Sequence, residues 1–284
     1  MPTTRRQNGI SLTEILVVAG IIAILMGISI PAARSLMDSY ESTAGVRKLI
    51  NSAMSNARAI AVREQTYAGI RFQPDMNGHT YMIFIVHDPA ATGLANGFRA
   101  LTGRRPMKLP DDVGAVCSYW IKRADFYTTY DWNKLMPVKL DDAVLTDNAA
   151  NLAPVGTGGV NRCLLDASTF SIIFSPQGRL TVHPVWVRNK DGTTDGSSND
   201  TIFNVLVKVQ AGISQFLQDD YGLDPTNCGV GPEISVQSFK LYSKSDYKQA
   251  NAAARWTSYL QTINDEHISP YTGELVLKYR EQNP

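Results

Sequence analysis

The pattern of apolar and polar positions changes character twice along the chain. From Ile10 to Ile30 the residues are apolar except for Ser11, Thr13, Glu14, Ser29 and two glycines, Gly20 and Gly27. As an α-helix this run would rise roughly 31 Å, close to the ~30 Å hydrocarbon thickness of a bilayer. Beyond Pro31, apolar residues recur at helical spacing: Leu36, Tyr40, Val46, Ile50, Ala53, Ala57 and Ile60. Arg34, Asp38, Glu41, Arg47, Lys48, Asn51, Asn56 and Arg58 stand between them, so this half is an amphipathic stripe to about Arg63. Proline removes one backbone bond and crowds the preceding turn, so Pro31 predicts a bend rather than an end. Together the two halves predict one helix of about 53 residues, roughly 80 Å long.

After residue 65 the period shortens to that of strands. Runs rich in β-branched and aromatic residues predict strands at Tyr67–Phe72, Thr80–Val86, Val113–Ile121, Phe170–Phe174, Leu180–Val187, Ile202–Val209, Ile234–Tyr242 and Glu274–Tyr279. Turn chemistry separates several of them, at Asp75-Met76-Asn77-Gly78, Pro176-Gln177-Gly178 and Asp191-Gly192. Two helices are predicted among them, near Gly212–Tyr221 and at Asp246–Ile263. The expected fold is therefore α+β, with an antiparallel sheet packed on the amphipathic half of the long helix.

Charge qualifies the reading of the N-terminus. Arg5 and Arg6 precede the apolar run and would hold its start on the cytoplasmic side of a membrane. Glu14 lies inside the run, where a carboxylate costs at least ~2.5–3.5 kcal/mol and therefore requires a partner. A secretory signal peptide is disfavoured because Pro31-Ala32-Ala33-Arg34-Ser35 offers no A-x-A-like cleavage site. A twin-arginine export signal is disfavoured because Gln7-Asn8-Gly9 follows the arginines instead of an apolar pair.

The segment Gly9-Ile10-Ser11-Leu12-Thr13-Glu14-Ile15-Leu16 resembles the leader junction of type IV pilins and type II secretion pseudopilins. In that family a short basic leader ends in glycine, and a membrane-embedded prepilin peptidase cuts after it. A glutamate stands fifth after the cut and a proline twenty-second, the places held here by Glu14 and Pro31. Ile10 stands where phenylalanine or methionine is usual, and would carry the N-terminal methylation. The resemblance implies a leader at residues 1–9, a transmembrane and assembly half at 10–31, an amphipathic half at 32–64 and a β-rich head at 65–284. It also gives Glu14 a role: the amine freed on Ile10, with a pKa near 8, would pair with Glu14 of a neighbour and set axial register. Gly20 and Gly27 would permit close helix packing.

Three further segments narrow the resemblance to H-type minor pseudopilins and their fimbrial T-like relatives. These are Ala53–Arg63 leading into Tyr67–Phe72, Met107–Val113, and Ser171–Thr181 with its Phe-Ser-Pro-x-Gly hairpin. The implied protein is a non-enzymatic filament subunit of a pseudopilus. Its head would sit in the periplasm and its helix in the inner membrane, as a single pass, before assembly. The implied partners are prepilin peptidase, other pilins or pseudopilins and an inner-membrane assembly platform. A minor pilin of a type IV pilus, serving adhesion or DNA uptake, is the alternative; a membrane-anchored periplasmic enzyme is a third reading. Segments 88–105, 128–163 and 210–270 lie outside the resemblance.

Candidate chemistry is sparse. With the leader removed, acidic and basic residues differ by one, so the charge balance asks for neither nucleic acid nor an acidic partner. His79, His87, His183 and His267 are scattered without zinc-ligand spacing, and no metal is expected. No Gly-x-Ser-x-Gly elbow or phosphate-binding glycine loop is present, so no catalytic residue and no cofactor is expected. Cys117, Cys163 and Cys228 show no Cys-x-x-Cys pair, and outside the cytoplasm any two could join. Tyr119, Trp120, Phe126, Tyr127, Tyr130 and Trp132 read as core or subunit contact rather than a sugar platform. Phe98–Arg105 reads as a solvated basic loop, and Asp191–Asp200 as a surface loop without EF-hand spacing.

Overall fold

The computed structural model describes residues 12–148, 152–153, 160–222 and 229–277, with backbone alone at 12–15, 20, 23–43, 152–153, 160 and 221–222. The chain divides into two compact units, Met1–Lys48 and Leu49–Pro284. An α-helix runs Leu12–Glu64. In the first unit, Leu16, Val17, Val18, Ile21 and Ile22 are exposed. Among the described residues no helix is long and apolar enough to cross a membrane. The expected spanning run draws largely on side chains outside that description.

In the second unit the end of the helix buries Ile50, Ala53, Met54, Ala57, Ile60 and Ala61. These positions follow the 3.6-residue period and form the predicted apolar stripe. Two polar ties fix this stretch to the C-terminal strands. Asn51 Oδ1 accepts from the Leu275 amide at 2.8 Å, and Arg58 donates to the Thr272 carbonyl at 2.9 Å.

The main sheet has eight strands. From one edge the order is Leu180–Thr181, Phe170–Phe174, Ala68–Pro74, Thr80–His87, Gly97–Ala100, Pro184–Val187 and Glu233–Ile234, with Met107–Lys108 also on Thr80–His87. All pairs are antiparallel except Gly97–Ala100 with Pro184–Val187. The central strands are buried on both faces, which is why they read as continuous rather than alternating apolar runs. Strand alternation sends Ile70 and Phe72 to one face and Arg71 to the other. On the first face Phe72 and Phe170 stack at 4.9 Å, and Phe239 joins them. On the second, Ile83, Ile85, Ile173, Val185 and Val187 pack with Phe203 and Phe216, contributed by a later segment.

A second, four-stranded antiparallel sheet joins Val113–Val116, Ser238–Ser243, Glu266–Ile268 and Leu275–Leu277. Its core gathers Val116, Leu140, Leu145, Ala167, Tyr242, Tyr247 and Leu260. The α+β class and the antiparallel sheets agree with expectation. Several elements differ from it. The run predicted as a strand over Ile202–Val209 is a two-residue strand, Phe203–Asn204, followed by a helix, Leu206–Gln210. Leu206 and Val209 stand three apart, so one helical turn places both against Leu165, Leu217 and Val230. The helix expected near Gly212–Tyr221 is instead the strand Phe216–Leu217 and a 3-10 turn, Asp219–Gly222. The helix expected over Asp246–Ile263 is split into Lys244–Gln249, Arg255–Ser258 and a 3-10 turn, Leu260–Thr262. Val113–Ile121 is likewise two strands, the second (Tyr119–Lys122) paired with Met136–Lys139.

Gly69 sits where the Ala68–Pro74 strand meets Phe170–Phe174, and a Cβ there would lie 2.0 Å from the Ile172 carbonyl oxygen. Gly69→Ala is therefore expected to cost about 3 kcal/mol or more, lowering the melting temperature of the head by roughly 6–12 °C. Thermal unfolding followed by near-UV circular dichroism measures this; an unchanged melting temperature would contradict the close approach.

Candidate functional site

The expected processing and assembly residues Gly9, Ile10, Glu14, Gly20, Gly27 and Pro31 lie, in whole or in their side chains, outside the described residues. Two polar groupings within Leu49–Pro284 bear on a site.

The first is a buried ionic cluster on the second face of the main sheet. Arg71, fully buried, donates to Asp219, to Glu233 at 3.1 Å and to Gln73 at 2.9 Å. Asp219 also accepts from the Val187 amide at 2.6 Å, and Gln73 donates to the Leu217 carbonyl. Nearby, Arg123 grips Asp166 through two bonds of 2.8 and 2.9 Å and donates to the Pro232 and Gly229 carbonyls. Burial pushes the Asp219 carboxyl up to about 6 and Glu233 to about 8, against the pull of Arg71. With no solvent access the cluster cannot meet a ligand; it clamps segments distant in sequence onto one strand.

The second is a cleft of about 670 Å³. Its walls are the Asp75–His79 turn, Asp111 and Asp112, the helix Arg162–Ala167 and the helix Lys244–Gln249. The turn forms because Asp75 Oδ1 accepts from the Asn77 and His79 amides, with Gly78 at φ +80° closing it. Asp112 organises the opposite wall. Its carboxylate accepts from the Ser243 and Ser245 hydroxyls at 2.7 and 3.0 Å and from the Ser245 amide at 2.7 Å. Burial raises Asp112, but these bonds outweigh it and hold its pKa below the usual carboxylate range. Ser243 in turn caps the helix by accepting from the Asp246 amide. Arg255 binds Asp147 at 2.7 Å and lies 4.9 Å over the Tyr247 ring.

Lys244 differs from its neighbours. Its Nζ is buried and, among the described residues, has no hydrogen-bond partner. Burial lowers its pKa, while Asp75, Asp111 and Asp112 act in the opposite sense without reaching it by a hydrogen bond. Two of its neighbours were legible: the Asp75–Gly78 turn and the Asp111-Asp112 pair lie in segments singled out from sequence. Lys244 was not. The Ser243-x-x-Asp246 cap marks the start of its helix, but nothing local marks an unpaired ammonium.

The remaining expected features fall as follows. His79 lies 3.3 Å from Asp75 and 3.6 Å from Asp111, and the rings of His87 and His183 approach to 5.7 Å beside Tyr67 and Phe98. Two of the scattered histidines thus meet, but among the described residues no group of three metal-ligating side chains forms. In the aromatic patch Phe126 is core, packed with Trp132 and Trp186, while Tyr130 is 62% exposed and stacks on Trp186. The basic loop is corrected in part: Gly97–Ala100 is a strand with Phe98 buried and Arg99 paired with Asp88 at 2.7 Å, while Thr102, Gly103, Arg104 and Arg105 form the expected exposed loop. In Asp191–Asp200, Asp191 accepts from the Ser198 hydroxyl, Asp195 from the Ser197 amide, and Asp200 from the flanking Lys190 and Ile202 amides. Cys163 is disulfide-bonded and Cys117 is a free thiol whose pKa burial pushes up to about 11. Cys228 lies outside the described residues.

Residues 4–30 match the family model of the prokaryotic N-terminal methylation motif. No curated protein and no solved structure matches the chain. The match supports the type IV pilin and pseudopilin family and fits a subunit processed by prepilin peptidase and assembled with other pilins. It suggests a structural filament subunit anchored in a membrane before assembly. The H-type subtype has no such support.

The ionic cluster generates a pH dependence. A carboxyl whose folded pKa is raised keeps its proton where the unfolded chain has lost it, so stability falls as pH rises between the two values. For Glu233 that window runs from about 4 in the unfolded chain to about 8 in the fold. Urea unfolding of the detergent-solubilised chain should show stability declining by a few kcal/mol from pH 5 to 8. Glu233→Gln should flatten the upper part of that decline; an equally steep decline in the variant would exclude Glu233 as its source.

Proposed function

We propose that the chain is a minor pseudopilin, a non-enzymatic subunit of a type II secretion-type pseudopilus. The observation that carries this reading is the N-terminal methylation motif at residues 4–30, in register with Gly9, Glu14 and Pro31. In this reading residues 1–9 are a leader removed by prepilin peptidase, and Ile10 becomes the methylated N-terminus. Residues 10–31 cross the inner membrane once and later pack in the filament. Residues 32–64 continue as the amphipathic part of a long helix, and residues 65–284 form the head in the periplasm.

The physics of assembly follows. A helix leaving lipid for a filament gains little from apolar transfer, so close packing at Gly20 and Gly27 and pairing of polar groups supply the driving force. The Ile10 amine and Glu14 of a neighbouring subunit would neutralise each other in a medium poor in water. The disulfide at Cys163 is consistent with a head that folds outside the cytoplasm. A minor pilin of a type IV pilus would use the same motif and remains the second reading, because the motif is common to both.

N-terminal mass analysis of membrane-extracted protein, with and without prepilin peptidase, should place the mature terminus at Ile10 only when the peptidase is present. Any other terminus overturns the proposal. Glu14→Ala should leave membrane insertion and cleavage intact and reduce incorporation into filaments at least about tenfold, the loss of ~1.4 kcal/mol of pairing. Undiminished incorporation would make the segment a simple anchor.

A further inference from the structure

We propose that the cleft between the Asp75–His79 turn and the helix Lys244–Gln249 is a binding site for a carboxylate carried on a short apolar stem. Three observations lead there. The first is its shape: about 670 Å³, with Met76, Leu164, Leu165 and Leu217 among the residues lining it, the size and apolar character of a small-ligand site. The second is an imbalance of donors. Asp75, Asp111, Asp112 and Asp147 are each engaged by protein partners. The Lys244 ammonium is buried without a hydrogen bond, and the Tyr247 hydroxyl and Arg255 Nε have no partner beyond the contact between Tyr247 and Arg255. Lys244 and Tyr247 stand three apart on one short helix and so share a face. A ligand that satisfies these groups must bring acceptors.

The third observation is charge. Lys244, Lys248 and Arg255 line the cleft together with the same four aspartates, so the lining carries one more acid than base. A dianion such as phosphate would meet carboxylates at close range, whereas a monoanion can neutralise the one ammonium that lacks a contact. An unpaired buried ammonium is costly, and a carboxylate placed against it recovers that cost as affinity. A metal ion is disfavoured by the same lysine. The carboxylate could be a chain terminus or a free organic acid; both present one anionic group on an apolar stem. The cleft lies wholly within Leu49–Pro284, so its occupancy does not depend on how the N-terminus is processed.

Calorimetric titration of the full-length chain in detergent tests this with three probes: acetyl-Ala-Leu-Val as the free acid, the same peptide as its C-terminal amide, and butyrate. The free acid should bind at least about tenfold tighter than the amide. Lys244→Met, which keeps the stem and removes the charge, should abolish that preference while leaving the melting temperature unchanged or raised. Tyr247→Phe should weaken the acid about threefold. Butyrate matching the peptide acid would assign the site to a free organic acid, and butyrate binding at least about tenfold weaker would assign it to a chain terminus. Equal binding of acid and amide, no binding of any probe at about 10 mM, or unchanged affinity in Lys244→Met would overturn the proposal. Should Lys244→Met fail to fold, the acid-to-amide ratio of the unmodified chain decides alone.

Discussion

An arginine at the centre of a sheet sets the terms for the head. Arg71 stands on the Ala68–Pro74 strand, flanked on both sides by paired strands and wholly removed from water. Its guanidinium cannot shed its proton, so the fold has to bring carboxyl acceptors to it. Two arrive, Asp219 and Glu233, from segments far along the chain. Breaking such an arrangement on one side leaves a bare charge in the interior, which costs about 3–5 kcal/mol. The position of the later segments is thereby tied to one side chain near the start of the sheet.

The same logic recurs at Arg123. It joins the region after Tyr119–Lys122 to the helix Arg162–Ala167 through Asp166, and to the backbone at Gly229 and Pro232. Apolar packing does the rest: Phe203 and Phe216 cover the face of the sheet that carries Arg71. The cleft is the exception to this economy. There an ammonium is buried without a hydrogen bond, beside aspartates that have partners of their own.

What could be read from sequence follows the range of the forces involved. The helical stripe from Ile50 to Ala61 and the strands Ala68–Pro74, Thr80–His87 and Phe170–Phe174 are set by local periodicity, and they appear where that periodicity puts them. The run Ile202–Val209 satisfies a strand and a single helical turn equally well, and only the apolar cluster around Leu165 and Val230 decides between them. The split of Asp246–Ile263 also follows from contacts distant in sequence: Asp142 holds the Trp256 and Thr257 amides. Pairings such as Arg71 with Asp219, or the isolation of Lys244, leave no local trace, because each is created by a neighbour more than a hundred residues away or by the lack of one. The N-terminal motif at residues 4–30 is legible for the opposite reason: all of its residues lie close together in sequence.

The six-residue helix Arg162–Ala167 carries both Cys163 and Asp166. A helix that short has no independent stability in water, so its place depends on the Asn161 cap, the burial of Leu165 and Ala167, the ion pair at Asp166 and the sulfur bridge at Cys163. Only the last responds to the redox state of the surroundings. Reduction of the bridge would remove one covalent tie from this segment and leave the Arg123–Asp166 ion pair in place.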